Sequence, residues 1–323
     1  MRFRLIDKPQ YAPMAQYLSA IEKICEKARN IDGILSVYQI GSVSNPGISD
    51  IDLIMVFEDD RIHKSDLLNG FKKSEKYLFI HGLFGTSAHL FKESQHFTFY
   101  HNLKLLMGID LLPNIPRSNP DTETVLKRQI AMEYLIKLYY TLNVQAVYGI
   151  IKVRSLLLEL KAAYYDLNFL EIHQGVFFDL LIEIIELRKI WFAAERTDAQ
   201  LSELVKQILV ELPLFLAQQL LEGDFYVINP KMKVTNNIEL IPGTKMAIEH
   251  QGITFPNLLY WLGKKYFNIQ NKLNKFSVFI PFCENGAVPA IIVAREQFTK
   301  TIVKYNKANL PHFSPLISGF TCR

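Results

Sequence analysis

Residues 40–57 decide the fold, and they read Ile40-Gly41-Ser42-Val43-Ser44-Asn45-Pro46-Gly47-Ile48-Ser49-Asp50-Ile51-Asp52-Leu53-Ile54-Met55-Val56-Phe57. An apolar strand ends in Gly-Ser, a turn of Ser, Asn, Pro and Gly follows, and an Asp-x-Asp pair opens a second apolar run. Side chains two positions apart on a strand point to the same face, so we expect Asp50 and Asp52 to lie side by side. Neighbouring carboxylates repel each other unless a cation lies between them, and Mg²⁺ prefers such oxygen ligands. The stretch therefore predicts a metal and phosphate site at the edge of a sheet.

This order of Gly-Ser, short polar turn and Asp-x-Asp resembles the signature of the nucleotidyltransferase superfamily with a DNA polymerase beta type of palm. That superfamily includes poly(A) and CCA-adding polymerases, aminoglycoside nucleotidyltransferases and protein-modifying toxins. The resemblance implies that Gly41 and Ser42 hold the phosphates of a nucleoside triphosphate such as ATP, and that Asp50 and Asp52 ligate Mg²⁺ or Mn²⁺. The alternative interpretation is a polar turn between two buried strands that happens to carry two aspartates.

A third carboxylate from a later strand is also implied by the resemblance, because it would complete the metal site. Asp110 is the first candidate, since it lies near the end of the apolar run 103–112, which predicts a strand. The alternative is that Asp110 ends the strand and caps the proline-rich turn after it. Glu93 is a weaker candidate, because its neighbours are typical of a solvated loop.

Basic residues on a later helix are candidates for contact with the triphosphate. Lys152 and Arg154 follow Val147 on an otherwise apolar predicted helix. Members of the superfamily with a following helical domain often use such residues against the phosphates, for which Lys and Arg are natural partners. The competing interpretation is that both side chains extend from a buried helix to solvent.

Histidines cluster between residues 81 and 101, which invites a metal or acid–base interpretation. The cluster consists of His81, His89, His96 and His101. Their spacing matches no defined ligand pair, but His81 or His101 would face the nucleotide if their strands lie beside Asp50 and Asp52.

Hydrophobic periodicity predicts an α+β fold in three parts. The resemblance implies that the first part, 1–115, is a nucleotidyltransferase palm, a mixed β-sheet with flanking helices. Periodicity predicts a helix at 14–29 and a strand at 34–40 within it. The proline-rich residues 113–120 predict a linker. Residues 121–222 predict a helical bundle, and 223–323 a mixed C-terminal region to which the sequence assigns no role. Shorter predictions are a strand at 77–80, a glycine-containing loop at 81–87 and β structure at 276–295.

The amino-acid composition of the chain argues against several classes of binding partner. The 323-residue chain has a formal net charge of +4, which is well short of the strongly basic stripe of a dedicated nucleic-acid binder. Its three cysteines have no metal-ligand spacing and predict free thiols in a reducing compartment. The most apolar window, 176–194, is interrupted by charges, so no membrane partner is expected and the predicted location is the cytoplasm.

The predicted function is the metal-dependent transfer of a nucleoside monophosphate from a nucleoside triphosphate to a hydroxyl acceptor. A small molecule or a protein is favoured as acceptor over a long nucleic acid, and a short RNA end stays open. The alternative is a catalytically silent protein of the same fold that acts as a nucleotide sensor or an interaction scaffold.

Overall fold

The computed structural model describes residues 3–112, 120–194, 197–228, 232–281 and 288–317. The predicted linker therefore lies outside the described residues, except for Pro120. The strands, in chain order, are β1 (Arg4–Ile6), β2 (Ile34–Ile40), β3 (Asp52–Phe57), β4 (Phe84–Ser87), β5 (Lys104–Gly108), β6 (Ile150–Lys152), β7 (Met232–Thr235), β8 (Ile238–Pro242), β9 (Ala247–Gly252), β10 (Asn274–Ile280) and β11 (Ser314–Pro315). The helices are α1 (Met14–Arg29), α2 (Lys73–Lys76), α3 (Ala88–Ser94), α4 (Pro120–Val147), α5 (Val153–Phe169), α6 (Val176–Ile190), α7 (Thr197–Glu222), α8 (Lys264–Leu273) and α9 (Ala290–Asn309), with a 3₁₀ helix at Asn257–Leu262. The chain is thus a mixed α+β protein, as predicted.

The described residues divide into two units. The first unit contains Gln10–Glu123 together with Val293–Ser318, and the second contains Met1–Pro9 together with Thr124–Ile292. The predicted palm segment 1–115 thus supplies most of the first unit, and a stretch close to the C-terminus supplies the rest.

A five-stranded mixed sheet forms the centre of the first unit, in the order β11-β4-β3-β2-β5. Strand β2 is antiparallel to both β3 and β5, whereas β4 runs parallel to β3 and to β11. The predicted helix at 14–29 and strand at 34–40 are confirmed as α1 and β2. This order places the Gly-Ser end of β2 beside the start of β3.

The two faces of this sheet are covered by different helices. The apolar stripe of α1 packs on the face that carries Val37, Leu53 and Met55. Because side chains alternate along a strand, Asp52 points to the opposite face. Tyr38 points to that opposite face too, and its ring lies 4.9 Å from the ring of Phe91 on α3.

The strand predicted at 77–80 is wrong, because Leu78 and Phe79 form turns rather than a strand. Both side chains are buried in the core beside α1, and the Leu78 carbonyl accepts a hydrogen bond from the Ile51 N–H at 2.8 Å. A short apolar run shows that a segment is buried without showing its secondary structure. The strand of this region is β4, which lies within the loop predicted at 81–87.

A glycine in β4 lets the end of the chain complete the sheet. A Cβ on Gly85 would lie 2.6 Å from the Cβ of Phe313, closer than real Cβ contacts allow. The side chain of Asn306 on α9 donates to the Gly85 carbonyl at 2.8 Å, and β11 pairs with β4. The prediction of β structure over 276–295 is correct for β10 and wrong for the beginning of α9, a helix that leads back to the first unit.

The second unit combines a helical part with a four-stranded sheet. Helices α5, α6 and α7 pack in succession, and the sheet has the order β7-β8-β10-β9. Pro213 lies inside the continuous helix α7. Within the described ranges, α7 alone is long and apolar enough to cross a membrane, a test that the core helix of a soluble protein also passes.

His63 makes the first unit sensitive to pH. Its ring stacks on Phe57 and packs against Phe313, and its buried Nε2 atom has no hydrogen-bond partner among the described residues. Burial lowers the pKa of His63, and the charges of Arg61 and His312 lower it further. The neutral ring is therefore the stable form. The resulting stability is complete above the unfolded pKa of about 6.5 and is lost as the pH falls from there through the lowered pKa of the folded protein.

We expect His63→Phe to remove part of this acid sensitivity, because phenylalanine keeps an aromatic ring and cannot take up a proton. Between pH 7.5 and 5.5 the melting temperature of the wild type should fall by more than that of the variant. Thermal unfolding at several pH values measures this difference, and parallel curves for the two proteins would contradict it.

Candidate functional site

Two tyrosines, the buried Tyr17 and the partly buried Tyr77, hold the turn between Gly41 and Asp50 in place. The Tyr17 hydroxyl donates to the Ser49 carbonyl at 2.7 Å and accepts from the Gly47 N–H at 2.9 Å. The Tyr77 hydroxyl donates to the Gly47 carbonyl at 2.6 Å. Inside the turn, the Asn45 carbonyl accepts from the Ser49 N–H at 2.8 Å. The turn is therefore tied to α1 and to the segment after α2, and it brings Asp50 back to the edge where β2 ends.

Gly41 leaves open space at the end of β2. Its φ of +70° lies in the left-handed region that glycine tolerates best, and a Cβ added there would meet no atom within 4 Å. The Gly41 N–H is already used, since it donates to the His101 carbonyl at 2.8 Å. Among the described residues, the N–H groups of Ser42 and Val43 donate to no protein acceptor. These two groups, rather than that of Gly41, are the free donors of the predicted phosphate cradle.

Asp52 is a carboxylate held in an unfavourable environment. It begins β3 opposite Ile40, and its Oδ1 atom is buried with no hydrogen-bond partner among the described residues. Burial, together with the smaller effect of the charge of Asp50, raises the pKa of Asp52 from its ordinary value of 3.8 to about 7. The predicted juxtaposition of Asp50 and Asp52 is thus present, and the two charges disfavour each other's ionisation.

His81 is the histidine that the fold brings to this carboxylate pair. Its Nε2 atom lies 3.7 Å from Oδ2 of Asp50, and its side chain is 58 % exposed. The parallel pairing of β4 with β3, in which Phe84 lies opposite Ile54, explains why a residue just before β4 reaches a residue just before β3. The sequence singled out His81 and His101 from the four histidines but could not choose between these two, because that choice requires the order of the strands.

Asp110 does not join the pair, contrary to the sequence-based assignment as third metal ligand. Strand β5 runs antiparallel to β2 with Gly108 opposite Ser36, whereas Asp52 lies opposite Ile40 at the other end of β2. The span from Ser36 to Ile40 is about 13 Å at the usual rise per residue, and Asp110 lies beyond it.

The alternative interpretation, that Asp110 caps the turn, agrees with its contacts. Its Oδ1 atom accepts from the Tyr38 hydroxyl at 3.0 Å and from the Leu112 N–H at 3.1 Å. Glu93, the weaker candidate, lies on α3, where its carboxylate is 3.7 Å from Nε2 of His89. Within the described ranges, no group of three or more His, Cys, Asp or Glu residues is arranged to hold a metal ion.

Lys152 and Arg154 belong to the second unit, at the junction of β6 and α5. The Nζ atom of Lys152 lies 4.0 Å from the centre of the Phe267 ring, and burial lowers the pKa of this amine. Arg154 is only 3 % exposed, so the prediction that its side chain extends to solvent is wrong. Its backbone N–H donates to the Asp7 carbonyl at 3.1 Å, which joins the start of α5 to the end of β1. The predicted contact of Lys152 and Arg154 with the phosphates of a nucleotide stays a prediction.

The carboxylate pair suits a divalent cation. Mg²⁺ typically binds through one or two protein carboxylates and completes its shell with waters and substrate phosphates, so it does not require a third acid from the protein. The unpartnered Oδ1 atom of Asp52 beside Asp50 is the kind of donor that such an ion uses. The residues present therefore fit the predicted metal.

Comparison with known proteins gave no match of any kind. No protein-family model, no curated protein sequence and no solved structure matches the chain. The resemblance to nucleotidyltransferases thus depends on the motif at residues 40–57 and on the arrangement of its side chains.

Proposed function

We propose that the first unit binds a nucleoside triphosphate with Mg²⁺ and transfers its nucleoside monophosphate to a hydroxyl acceptor. The observation that carries this proposal is the buried, unpartnered Oδ1 atom of Asp52, which lies beside Asp50 at the end of the sheet where Gly41 and Ser42 leave β2. A carboxylate without a partner costs folding free energy, and such arrangements are concentrated at functional sites.

The residues of the turn have separate roles in this proposal. The N–H groups of Ser42 and Val43 bind phosphate oxygens, as oriented backbone amides do in anion-binding concavities. Asp50 and Asp52 hold the cation, and the bare backbone of Gly41 allows the phosphates to approach. His81, whose Nε2 atom lies 3.7 Å from Oδ2 of Asp50, orients this carboxylate. When bound, Mg²⁺ supplies positive charge that neutralises the phosphates and favours the departure of pyrophosphate.

A small molecule or a protein is the favoured acceptor. A net charge of +4 over 323 residues offers little attraction for a long nucleic acid. A short RNA end needs less charge, and it stays among the acceptors to be tested.

A catalytically silent nucleotide sensor is the second candidate function. The placement of Asp110 at the far end of β2 favours it, because the predicted third carboxylate is missing from the site. A site with two carboxylates can bind the nucleotide with its metal, whereas activation of the acceptor hydroxyl in the superfamily is expected to use the third.

Calorimetry of nucleotide binding tests the shared part of both candidates. We expect the wild type to bind a nucleoside triphosphate with Mg²⁺ and to lose this binding with EDTA or in an Asp50→Ala/Asp52→Ala variant. Asp110→Asn is the matched control, since it changes an acid that lies outside the site and should leave the affinity unchanged. No binding by the folded wild type would contradict the proposal.

Turnover separates the enzyme from the sensor. Labelled nucleoside triphosphates, incubated with pools of small hydroxyl compounds, proteins and short RNAs, should yield pyrophosphate and a labelled acceptor if the protein is an enzyme. Metal-dependent binding without pyrophosphate release in any pool would favour the sensor.

A further inference from the structure

Large apolar side chains are exposed on one segment of the second unit. Within the 3₁₀ helix, Leu258 is 61 % exposed and Trp261 is 70 % exposed. Ile253, just before this helix, is 76 % exposed, and Leu273, at the end of α8, is 47 % exposed. Tryptophan is seldom left in water at this level without a partner, because burying its ring gains more than burying any smaller side chain.

The segment is rigid enough to present these side chains together. The side chain of Gln270 on α8 donates to the Phe255 carbonyl at 2.8 Å and accepts from the Phe255 N–H at 2.9 Å. The side chain of Asn274 donates to the Ile253 carbonyl at 3.2 Å, which places Ile253 beside the end of α8. Leu258 and Trp261 are three positions apart, and residues at this spacing lie on the same side of a 3₁₀ helix.

The stretch of sequence that carries these apolar side chains contains lysines but no acidic residue. Between Glu249 and Glu284 the sequence contains no Asp, Glu or Arg and four lysines. All four lysine side chains are exposed, three on α8 and one on β10: Lys264, Lys265, Lys272 and Lys275. We call the four apolar residues Ile253, Leu258, Trp261 and Leu273, with these lysines, the basic–apolar patch. Its charge is complementary to a polyanionic partner.

The chemistry of the patch favours a lipid surface over a nucleic acid. Single-stranded nucleic acids are held by aromatic rings that stack on bases, with arginine in support. Three of the four apolar side chains of this stretch are aliphatic, and the neighbouring arginine, Arg4, already lies over the Tyr260 ring, 3.9 Å from its centre. Interfacial membrane-binding segments combine lysine with Trp and Leu, which enter the boundary between headgroups and acyl chains. Lysines near an anionic bilayer add electrostatic attraction.

We infer that the basic–apolar patch docks the protein on the surface of an anionic lipid bilayer, with Trp261 and Leu258 inserted among the headgroups. The sequence predicted no membrane partner on the ground that no segment could span a bilayer, and surface docking does not require such a segment. This inference is independent of the nucleotidyltransferase proposal, because it involves different residues and a different ligand.

Vesicle sedimentation with the full-length protein tests the docking. We expect binding to vesicles of phosphatidylcholine with 30 % phosphatidylserine and at least tenfold weaker binding to pure phosphatidylcholine. Lys264→Ala/Lys265→Ala should weaken binding by an order of magnitude or more, since each lysine contributes about a fivefold factor near an anionic surface. Leu258→Ala/Trp261→Ala should weaken it at least as much. A blue shift of fluorescence on vesicle addition, absent in Trp261→Phe, would place Trp261 in the interface.

Matched control variants use residues of the same kind on α6 and α7. Lys189→Ala/Lys206→Ala removes the same charge from lysines that pair with Glu186 and Glu203. Val210→Ala/Leu214→Ala shortens two apolar side chains on α7 that are 59 % and 61 % exposed. Both control variants should bind as the wild type does, and circular dichroism should show that every variant is folded.

Four results would overturn the inference. The first three are absence of binding to the anionic vesicles, loss of vesicle binding in the Val210→Ala/Leu214→Ala control, and vesicle binding that persists in both patch variants. The fourth is binding of poly(U) that depends on the patch residues while the vesicles are not bound, which would assign the patch to nucleic acid.

Discussion

Replacing Asp52 with asparagine should abolish metal-dependent nucleotide binding and, in the same protein, raise the stability of the metal-free fold at pH 8. The two effects have one cause, since the ionised Asp52 carboxylate destabilises the folded protein and, in our proposal, binds the metal ion of the nucleotide. Burial and the charge of Asp50 raise the pKa of Asp52 to about 7, so the folded protein binds this proton more tightly than the unfolded chain does. Stability is therefore complete at low pH and decreases as the pH rises from about 4 to about 7.

The size of the stabilisation follows from the pKa. A shift of about three units corresponds to about 4 kcal/mol, and because Asp52 keeps some solvent contact we expect about 2–4 kcal/mol for Asp52→Asn at pH 8. At pH 5 the carboxyl group is mostly protonated in the folded wild type, so the difference between the two proteins should be small.

Thermal unfolding of the metal-free proteins at pH 5 and pH 8 measures this effect. Asp110→Asn serves as control, since Asp110 accepts hydrogen bonds from Tyr38 and Leu112 and should not be stabilised by the change. Addition of Mg²⁺ and a nucleoside triphosphate at pH 8 should raise the melting temperature of the wild type but not of Asp52→Asn. If Asp52→Asn is less stable than the wild type at pH 8, the ionised Asp52 carboxylate does not destabilise the folded protein.

Tyr17→Phe is expected to have the largest effect among residues that never touch the nucleotide. The hydroxyl of Tyr17, a fully buried residue, serves both the Ser49 carbonyl and the Gly47 N–H, and phenylalanine leaves both backbone groups without this partner. Each unsatisfied buried group costs about 1–3 kcal/mol, so we expect a loss of about 2–4 kcal/mol in stability. The turn that carries Asp50 should loosen, and nucleotide affinity should fall with it.

Urea unfolding measures the loss of stability and calorimetry measures the loss of nucleotide affinity, both on the same preparations of Tyr17→Phe. Tyr11→Phe is the matched control, because Tyr11 lies in the same unit and is 72 % exposed, and it should change neither quantity. The losses of stability and affinity in Tyr77→Phe should be smaller than in Tyr17→Phe and larger than in Tyr11→Phe. The Tyr77 hydroxyl accepts from the Gln10 N–H and donates to the Gly47 carbonyl at the exposed side of the turn. Wild-type affinity in a folded Tyr17→Phe protein would show that the turn does not need this anchor.

The sequence was sufficient for the parts of the site that are local. Helical and strand periodicity gave the bounds of α1 and β2, and the spacing of Asp50 and Asp52 predicted their juxtaposition. These features depend on neighbours within a few residues, which a single sequence contains.

The errors concern pairing between distant segments. Asp110 was assigned to the site because its strand had a suitable length, but the antiparallel register of β5 on β2 carries it to the opposite end. Strand β4 was missed because its glycine is selected by the approach of Phe313, more than two hundred residues away in sequence. The basic–apolar patch was missed because side-chain exposure, unlike composition, depends on the fold.

The two-part origin of the first unit has a consequence for its synthesis. Phe313 and Leu310 are buried in the same core as α1, so the growing chain makes that core long before it makes the residues that complete it. At about 5–20 residues per second, the ribosome needs on the order of ten seconds or more to reach α9 from the end of β5. During that interval an apolar surface beside β4 is uncovered on the nascent chain. The core of the first unit therefore cannot close during synthesis until Leu310 and Phe313 have been added to the chain.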